Sequence, residues 1–401
     1  MTPTRVLYLC GGRSFRVQNP GRKVGCVAKC WRRLGHEVAH VCGGDVEPGG
    51  GAAVAYGAPE VHRRWYRKLS VAAPLVHSYS EWRDIRHDRG VLDRVRYLSR
   101  EWKPDVIWER SCRLHMAGLV LSREIGVPYV LEWKDHLIPY DLSLFHRRAI
   151  RTEARKEAEA DFIVVESGVL RDQLAAQGIA KAPIIVAHNG VDPDEFRKSE
   201  QDREAVRQSL RLGPKAVLVG YLGSYASYHD AIRLVLAAGI LQSRGINGLR
   251  FLMVGDGKDQ GIVRRAAEDR GLLGSLLVMR PPVPERQVPS ILSALDVAVL
   301  PGTTDIICPI KIPEYMAAEL PVVLPDYACN REVITDGESG LLCAPKDANS
   351  LACKLELLAR NPALRITLGR EARRQVLRRF TWEQTWGAAL SSVLSKSAAC
   401  A

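Results

Sequence analysis

The chain reads as two doubly wound, Rossmann-like α/β domains facing a cleft. Three observations give that class. At 401 residues the chain exceeds the usual size of a single hydrophobic core. Short apolar runs alternate with helical stretches in two separate blocks, and strands interleaved with helices pair in parallel through right-handed crossovers. Between the blocks lies a polar, strand-free stretch, DPDEFRKSEQDREAVRQSLRLGP (192–214).

The first block opens with the strand RVLYLCG (5–11). RKVGCVAKCWRRLG (22–35) is an amphipathic helix that stops at Gly35, a residue suited to a left-handed C-cap. HEVAHVCG (36–43), PDVIWER (104–110), PYVLEWKD (128–135) and ADFIVVES (160–167) follow as strands. HMAGLVLSREIG (115–126) and RRAIRTEARKEAEA (147–160) are helices between them, and PIIVAHNG (183–190) closes the block. In the second block AVLVGYLG (216–223), LRFLMVGDG (249–257), SLLVMR (275–280), DVAVLPG (296–302) and PVVLP (321–325) are strands. DAIRLVLAAGILQSRG (230–245), IVRRAAEDRGL (262–272) and VPSILSAL (288–295) are the intervening helices. The expected boundaries are 1–195 for the first domain, 196–214 for a linker, 215–378 for the second domain and 379–401 for a terminal helix.

Composition narrows the partners. Hydrophobic content of 46% with 25% charge belongs to a globular chain rather than a disordered one. No apolar run reaches the roughly 18 residues of a membrane span. MTPTRVLYLCGG lacks a long apolar signal core. The ten cysteines are scattered without a CxxC pair or His/Cys cluster, which suggests reduced thiols in a cytoplasmic protein and no zinc site. The net charge of +12 calls for an anionic partner. Residues 61–110 hold twelve Lys/Arg against seven Asp/Glu, with Trp65, Tyr66, Trp82, Tyr97, Trp102 and Trp108 interspersed. HRRWYRK (62–68) is the densest piece, and a basic-aromatic surface of this kind suits peripheral contact with an anionic membrane. Nothing resembles a helix-turn-helix or an RNA-binding sheet, so no specific nucleic acid is expected.

The stretch with most chemical content is PIKIPEYMAAELPVVLPDYACNREVITDGESGLLCAPKD (309–347). A helix start carrying Lys311 and Glu314 leads into a buried strand, a polar loop, the turn DGESG and a short apolar run. That order suits a nucleotide-diphosphate site at the carboxyl end of a parallel strand. A helix start offers backbone N–H groups and positive dipole charge to phosphate. Glu314, about two turns in, is placed to accept hydrogen bonds from a ribose.

This stretch resembles the donor-sugar motif of the GT-B glycosyltransferases grouped as family 4, the group 1 type. The resemblance covers most of the chain. ADFIVVESGVLRDQL, HNGVDPDEF, FLMVGDG, VPERQVPSILSALDVAVLP and FTWEQTWGAAL follow that family's phrases in order and at its spacings. CPIKIPEY is similar to a subgroup with a C/S-P-x-K-x-x-E-Y motif. The resemblance implies a GT-B fold whose last helix returns to brace the N-terminal domain. It implies retaining transfer of a sugar from a nucleotide diphosphate, with UDP preferred, to a glycan, lipid-linked or small-molecule hydroxyl. No cofactor and no metal are required by it. Asp192 and Asp194 form an Asp-x-Asp triplet, but they sit in the NGVDPDEF hinge.

Site residues follow from the same resemblance. Departure of an anionic diphosphate is aided by fixed N–H groups and cations. The amides of Cys308, Ile310 and Lys311 and the Lys311 ammonium fill that role, since Pro309 has no N–H to offer. Gly223 opens the loop GSYASYHD, where many relatives place an Arg and a Lys; here those positions hold Ser224 and His229, weaker ligands for phosphate. The first of the family's paired glutamates falls on Ile306, with Asp305 beside it as a substitute, and the second falls on Glu314. Glu319 stands where relatives carry Gly, and the sequence gives no functional reason for it. In the first domain the catalytic His position falls on Lys134, with Asp135, His136 and Glu132 as neighbouring candidates. Gly11 and Gly12 allow close approach of acceptor or phosphate to backbone. Other readings remain open: a sugar-nucleotide epimerase of the same fold, a non-catalytic or partner-dependent sugar-nucleotide binder, and a nonspecific nucleic-acid binder.

Overall fold

The computed structural model describes residues 3–16, 22–46, 73–134 and 143–400. Two compact units divide the chain: residues 1–188 with 385–401, and residues 189–384.

In the first unit the elements run β1 (Arg5–Cys10), α1 (Arg22–Arg33), β2 (Glu37–Cys42), α2 (Ala73–Glu101), β3 (Val106–Arg110), α3 (Ala117–Ile125), β4 (Tyr129–Glu132), α4 (His146–Glu159), β5 (Phe162–Val165), α5 (Gly168–Ala176) and β6 (Ile184–Val186). The six strands form one parallel sheet in the order β2-β1-β3-β4-β5-β6. β1, β3, β4 and β5 are nearly continuous apolar runs because both faces of a parallel sheet are covered by helices. The strand order reverses between β1 and β3, which makes the carboxyl ends of those two strands the switch point of the sheet.

The second unit runs α6 (Glu200–Ser209), β7 (Val217–Leu222), α7 (Ala231–Ser243), β8 (Leu249–Val254), α8 (Gln260–Glu268), β9 (Leu277–Arg280), α9 (Val288–Ala294), β10 (Val297–Val299), α10 (Lys311–Ala317), β11 (Val322–Pro325), α11 (Ala328–Arg331), β12 (Leu341–Cys343), α12 (Ala348–Arg360) and α13 (Pro362–Arg379). Its strands pair in parallel in the order β12-β11-β10-β7-β8-β9, so the switch point lies between β7 and β10. A last helix, α14 (Ala388–Cys400), belongs to the first unit.

Three expectations change. The boundary falls after His188, not at 195, and residues 196–214 belong to the second unit instead of a separate linker. Asp296 explains this: Arg203 and Arg207 of α6 grip its two oxygens at 2.7 and 3.0 Å, and the Ser199 amide donates to Ser293 Oγ at 3.0 Å. Asn189 and Val191 are likewise tied inward, the latter by its amide to the Phe380 carbonyl at 3.0 Å. Secondly, residues 73–101 form one 29-residue helix that the sequence reading did not resolve. Thirdly, Trp108 is no surface aromatic. It is fully buried on β3, with its ring 4.8 Å from Trp31 and 5.9 Å from Trp386. Trp386 fixes the terminal segment: its indole N–H donates to the His188 carbonyl at 3.1 Å and its carbonyl accepts from Trp31 at 2.9 Å. HRRWYRK (62–68) lies outside the described residues. Among the described residues no helix is long and apolar enough to cross a membrane.

Candidate functional site

The switch point of the second sheet gathers the donor residues read from the sequence. At the end of β7 the Gly223 amide donates to the Val254 carbonyl at 2.9 Å, and the chain then turns through Ser224. A Cβ at Gly223 would collide with the Lys311 ammonium, so the missing side chain is what lets that cation sit over the strand end. The phrase GDG after β8 serves the same loop. Gly255 has φ +146°, and a Cβ there would run into the Gly223 carbonyl; Gly257, at φ +152°, would meet the Tyr225 amide at 2.7 Å. These glycines allow two loops to touch, and no ligand is needed to explain them.

Ser224 and His229 are turned on each other. His229 Nδ1 donates to the Ser224 carbonyl at 2.7 Å and lies 3.1 Å from Ser224 Oγ. The ring is 5% exposed, and its pKa is pushed down to about 4 by burial first and by the Lys311 charge second. A neutral imidazole whose Nδ1 proton is committed to a carbonyl does not replace a fixed cation. Positive charge at this strand end therefore comes from Lys311.

Lys311 is the first residue of α10, held by a well-tied turn. Asn189 Nδ2 donates to the Cys308 carbonyl at 3.0 Å, and Thr304 Oγ1 donates to the Ile307 carbonyl at 3.3 Å. Ile310, directly before Lys311, is half-buried. Burial pushes the Cys308 thiol well up, so it stays protonated. Glu314 falls in the first turn of α10, not two turns in, and is 3% exposed. The next residue, Tyr315, bridges helix and strand: its hydroxyl donates to the Leu222 carbonyl at 2.9 Å and accepts from the Leu222 amide at 3.2 Å. Asp305 is exposed on the 301–310 loop, and Ile306 is half-buried beside it. Asn330, fully buried, was missed in the sequence. Its Nδ2 donates to Thr303 Oγ1 at 3.0 Å and to the Pro325 carbonyl at 2.9 Å, joining that loop to the end of β11.

The carboxyl edge of the first sheet carries a buried charge cluster. Glu132 accepts from the Tyr8 hydroxyl at 2.6 Å and from Lys23 Nζ at 2.8 Å, with Arg110 at 3.7 Å. Lys23 also pairs with Glu166 and lies 3.9 Å from the centre of the Trp386 ring. Burial acts most strongly on Glu132 and Glu166 and raises both, but Lys23 and Arg110 together, joined by Lys134 at Glu166, bring the net below the ordinary value, with Glu166 held down at about 2. Glu132 is thus occupied inside the protein. Lys134, just past β4, is half-buried, and burial followed by the Arg110 charge lowers its pKa. Asp135 and His136 lie outside the described residues. Gly11 packs against His115, where a Cβ would come within 2.5 Å of Nδ1, and Gly12 accepts the Phe15 amide at 3.0 Å in a tight turn.

No metal centre forms among the described residues, where no cluster of three or more His, Cys, Asp or Glu is placed to hold an ion. Asp192 Oδ1 accepts from the Asp194 amide at 3.3 Å, and Asp194 pairs with Arg197 at 2.8 Å, so both serve the local turn.

Two family models match the chain. The model described as glycosyl transferase 4-like domain matches residues 20–190, and that described as glycosyl transferases group 1 matches residues 216–361. The chain belongs to the GT-B glycosyltransferases. Sucrose-phosphate synthase from Thermosynechococcus elongatus has the same fold as this chain, with a TM-score of 0.74 at 16% identity, covering 99% of this chain and 100% of that one. Anabaena HepE, solved in complex with UDP and glucose, gives 0.70 at 16% identity, covering 98% and 100%. Among curated relatives, the D-inositol 3-phosphate glycosyltransferase of Rhodococcus opacus is 27% identical over 67% of this chain. The GDP-mannose-dependent alpha-mannosyltransferase of Mycobacterium tuberculosis is 27% identical over 78% of this chain and 76% of its own length. The match spans 62% of the length of the Rhodococcus opacus relative.

Proposed function

We propose that this glycosyltransferase moves a sugar from a nucleoside diphosphate, UDP in the first instance, to a hydroxyl of a glycan, lipid-linked or small-molecule acceptor, with retention at the anomeric carbon. The observation that carries this is the Lys311 ammonium over the glycine at the end of β7, at the switch point of the second sheet. A cation fixed there binds a diphosphate and stabilises the charge that builds on it as the glycosidic bond breaks. The amides of Cys308, Ile310 and Lys311 would orient the phosphates, with Glu314 on the ribose and Asp305 on the sugar. Lys134, Asp135 or His136 would act at the transferred sugar. The UDP and UDP-glucose complexes of HepE support a uridine donor. No divalent ion takes part in this proposal, and chelation is expected to leave transfer intact. A cytoplasmic setting is part of it, with peripheral contact at an anionic membrane suited to the net charge of +12.

The test is thermal stabilisation by UDP, GDP, dTDP, ADP and their sugar conjugates. A ligand that binds only the folded form raises the melting point. One nucleotide series is expected to give a clear shift, lost in Lys311→Ala. Near-normal donor binding in that variant overturns the assignment. The mutual bonding of Ser224 and His229 favours a second reading, a sugar-nucleotide binder that needs a partner to turn over. Donor hydrolysis or transfer by the purified chain alone excludes it.

A further inference from the structure

The outer face of α2 carries a surface that the donor site does not use. Leu75, Tyr79 and Trp82 are 69%, 62% and 45% exposed. Their i, i+4, i+7 spacing puts them on one stripe of the helix. The rings of Tyr79 and Trp82 stack at 6.0 Å, and the Arg86 guanidinium lies 5.8 Å from the Trp82 ring. Arg83, Arg86 and Arg89 continue the stripe, all exposed.

Charge is sorted across this half of the helix. Its acids turn inward or are neutralised. Glu81, 2% exposed, accepts from Arg113 at 2.6 Å and from Ser143; Asp84 pairs with Arg13; Asp88 accepts the Met116 amide at 2.9 Å at the start of α3. Among the described charged residues of this half, Arg83, Arg86 and Arg89 are the exposed ones. A second element adds to the surface. The Leu144 amide donates to Ser78 Oγ at 3.0 Å, which fixes the start of α4 beside this end of α2. Leu144 is 80% exposed and Ile150 55% exposed, with Arg147 and Arg151 exposed in the same turns.

We propose that this face docks on an anionic phospholipid bilayer. Exposed apolar and aromatic side chains bordered by arginine, with the described acids of this half of α2 buried or paired, match the interface between headgroups and acyl chains. Tyr and Trp rings settle at headgroup depth there, and arginines meet lipid phosphate. Tyr, Trp and Arg also serve protein interfaces, so vesicle binding by the purified chain alone is what separates a bilayer from a protein partner, while a second copy of the chain would present arginine to arginine. The proposal deepens the membrane contact suggested by the net charge and is independent of the donor site.

The test is cosedimentation with vesicles of phosphatidylcholine alone or mixed with phosphatidylglycerol, at low and high salt. The intact chain is expected to bind the mixed vesicles, to bind phosphatidylcholine weakly, and to be released by salt. Arg83→Glu/Arg86→Glu is expected to weaken binding by about fivefold or more for each arginine reversed. Tyr79→Ser/Trp82→Ser is expected to weaken it by roughly tenfold and to abolish the blue shift of tryptophan fluorescence on binding. Melting points and nucleotide-induced stabilisation of both variants should match the parent, which separates failure here from failure of the donor assignment. The proposal is overturned if mixed vesicles do not bind the intact chain or if the variants bind as the parent does. Self-association abolished by the same variants, without vesicle binding, also overturns it in favour of a second copy.

Discussion

Glu319 occupies a backbone conformation that favours glycine, and replacing it tests how α10 ends. The Glu319 amide donates to the Met316 carbonyl at 3.0 Å and the Leu320 amide to the Tyr315 carbonyl at 3.1 Å. These are the two bonds of a Schellman stop, with Glu319 at the left-handed position, φ +53°. The backbone cannot relax out of it. Gly369 of α13 packs so closely on the Glu319 carbonyl that a Cβ at 369 would collide with it, and Lys198 Nζ donates to that carbonyl at 3.1 Å. Holding a side chain at positive φ costs about 1 kcal/mol. The compensation is the Arg373 pair at 3.6 Å, and with the Glu319 side chain 44% exposed it returns only about 0.2–0.5 kcal/mol. Glu319→Gly should therefore gain roughly 0.5 kcal/mol, while Glu319→Ala keeps the strain, loses the pair and falls by a similar amount. The gap of about 1 kcal/mol between them is worth roughly 2–4 °C in a unit of this size. Calorimetric melting of the three proteins measures it. Donor affinity should be unchanged, because the substitution lies past the end of α10 away from Lys311. An Ala variant that melts at or above the Gly variant refutes the argument.

Two pH dependences follow from buried groups. His229 sits near 4 against an ordinary 6.5, chiefly through burial, so it is neutral above pH 6.5 and opposes folding as pH falls from 6.5 toward 4. Binding of UDP-glucose, measured by calorimetry, should be flat from pH 6.5 to 8; a step in that range that disappears in His229→Gln would show that the imidazole, not Lys311, supplies the charge. Glu109 is pushed up from 4.5 to about 7, first by burial, against the Lys156 charge and the hydrogen bond from Tyr129. Its folded pKa is raised, so the stability it contributes is complete below pH 4.5 and is lost as pH rises through 7. Glu109→Gln should thus gain on the parent by on the order of 3 kcal/mol between acid and mildly alkaline pH. Melting curves at pH 5 and 8 test this, and parallel shifts for both proteins would contradict it.

Both sheets were legible because buried parallel strands are written as short apolar runs, and VLYLC, VLVGY and PVVLP have few other uses. The helix α2 was not. Its exposed stripe carries Leu75, Tyr79 and Trp82 while its buried side carries Glu81 and His87, so the apolar period that marks a helix is blurred on both faces. Glu132 shows a different limit. The sequence makes it a candidate for the sugar, but the lysine that claims it comes from α1, more than a hundred residues earlier. Ser224 and His229 stand five residues apart and read as two phosphate ligands; the short turn at 227–229 folds the second back onto the first.

Asn189 and Gly223 show why a signature is readable before its reason is. The NG of the hinge phrase resembles the family at the level of letters. In the fold, Asn189 holds the carbonyl of Cys308, three residues ahead of Lys311, while Gly190 packs within 2.9 Å of Trp382 if given a Cβ. The hinge phrase, the FTW phrase and the donor turn are thereby one assembly. Gly223 acts on the same lysine from the other side by leaving room for its ammonium. Ser224 and His229 are a neutral pair bonded to each other, so in the donor site proposed above the positive charge falls to Lys311. A lysine is a point charge on a long stem, and it grips phosphate well only if its position is set by others. If Lys311 holds the diphosphate as proposed, Asn189 through the turn and Gly223 through space would set its position although neither carries a charge.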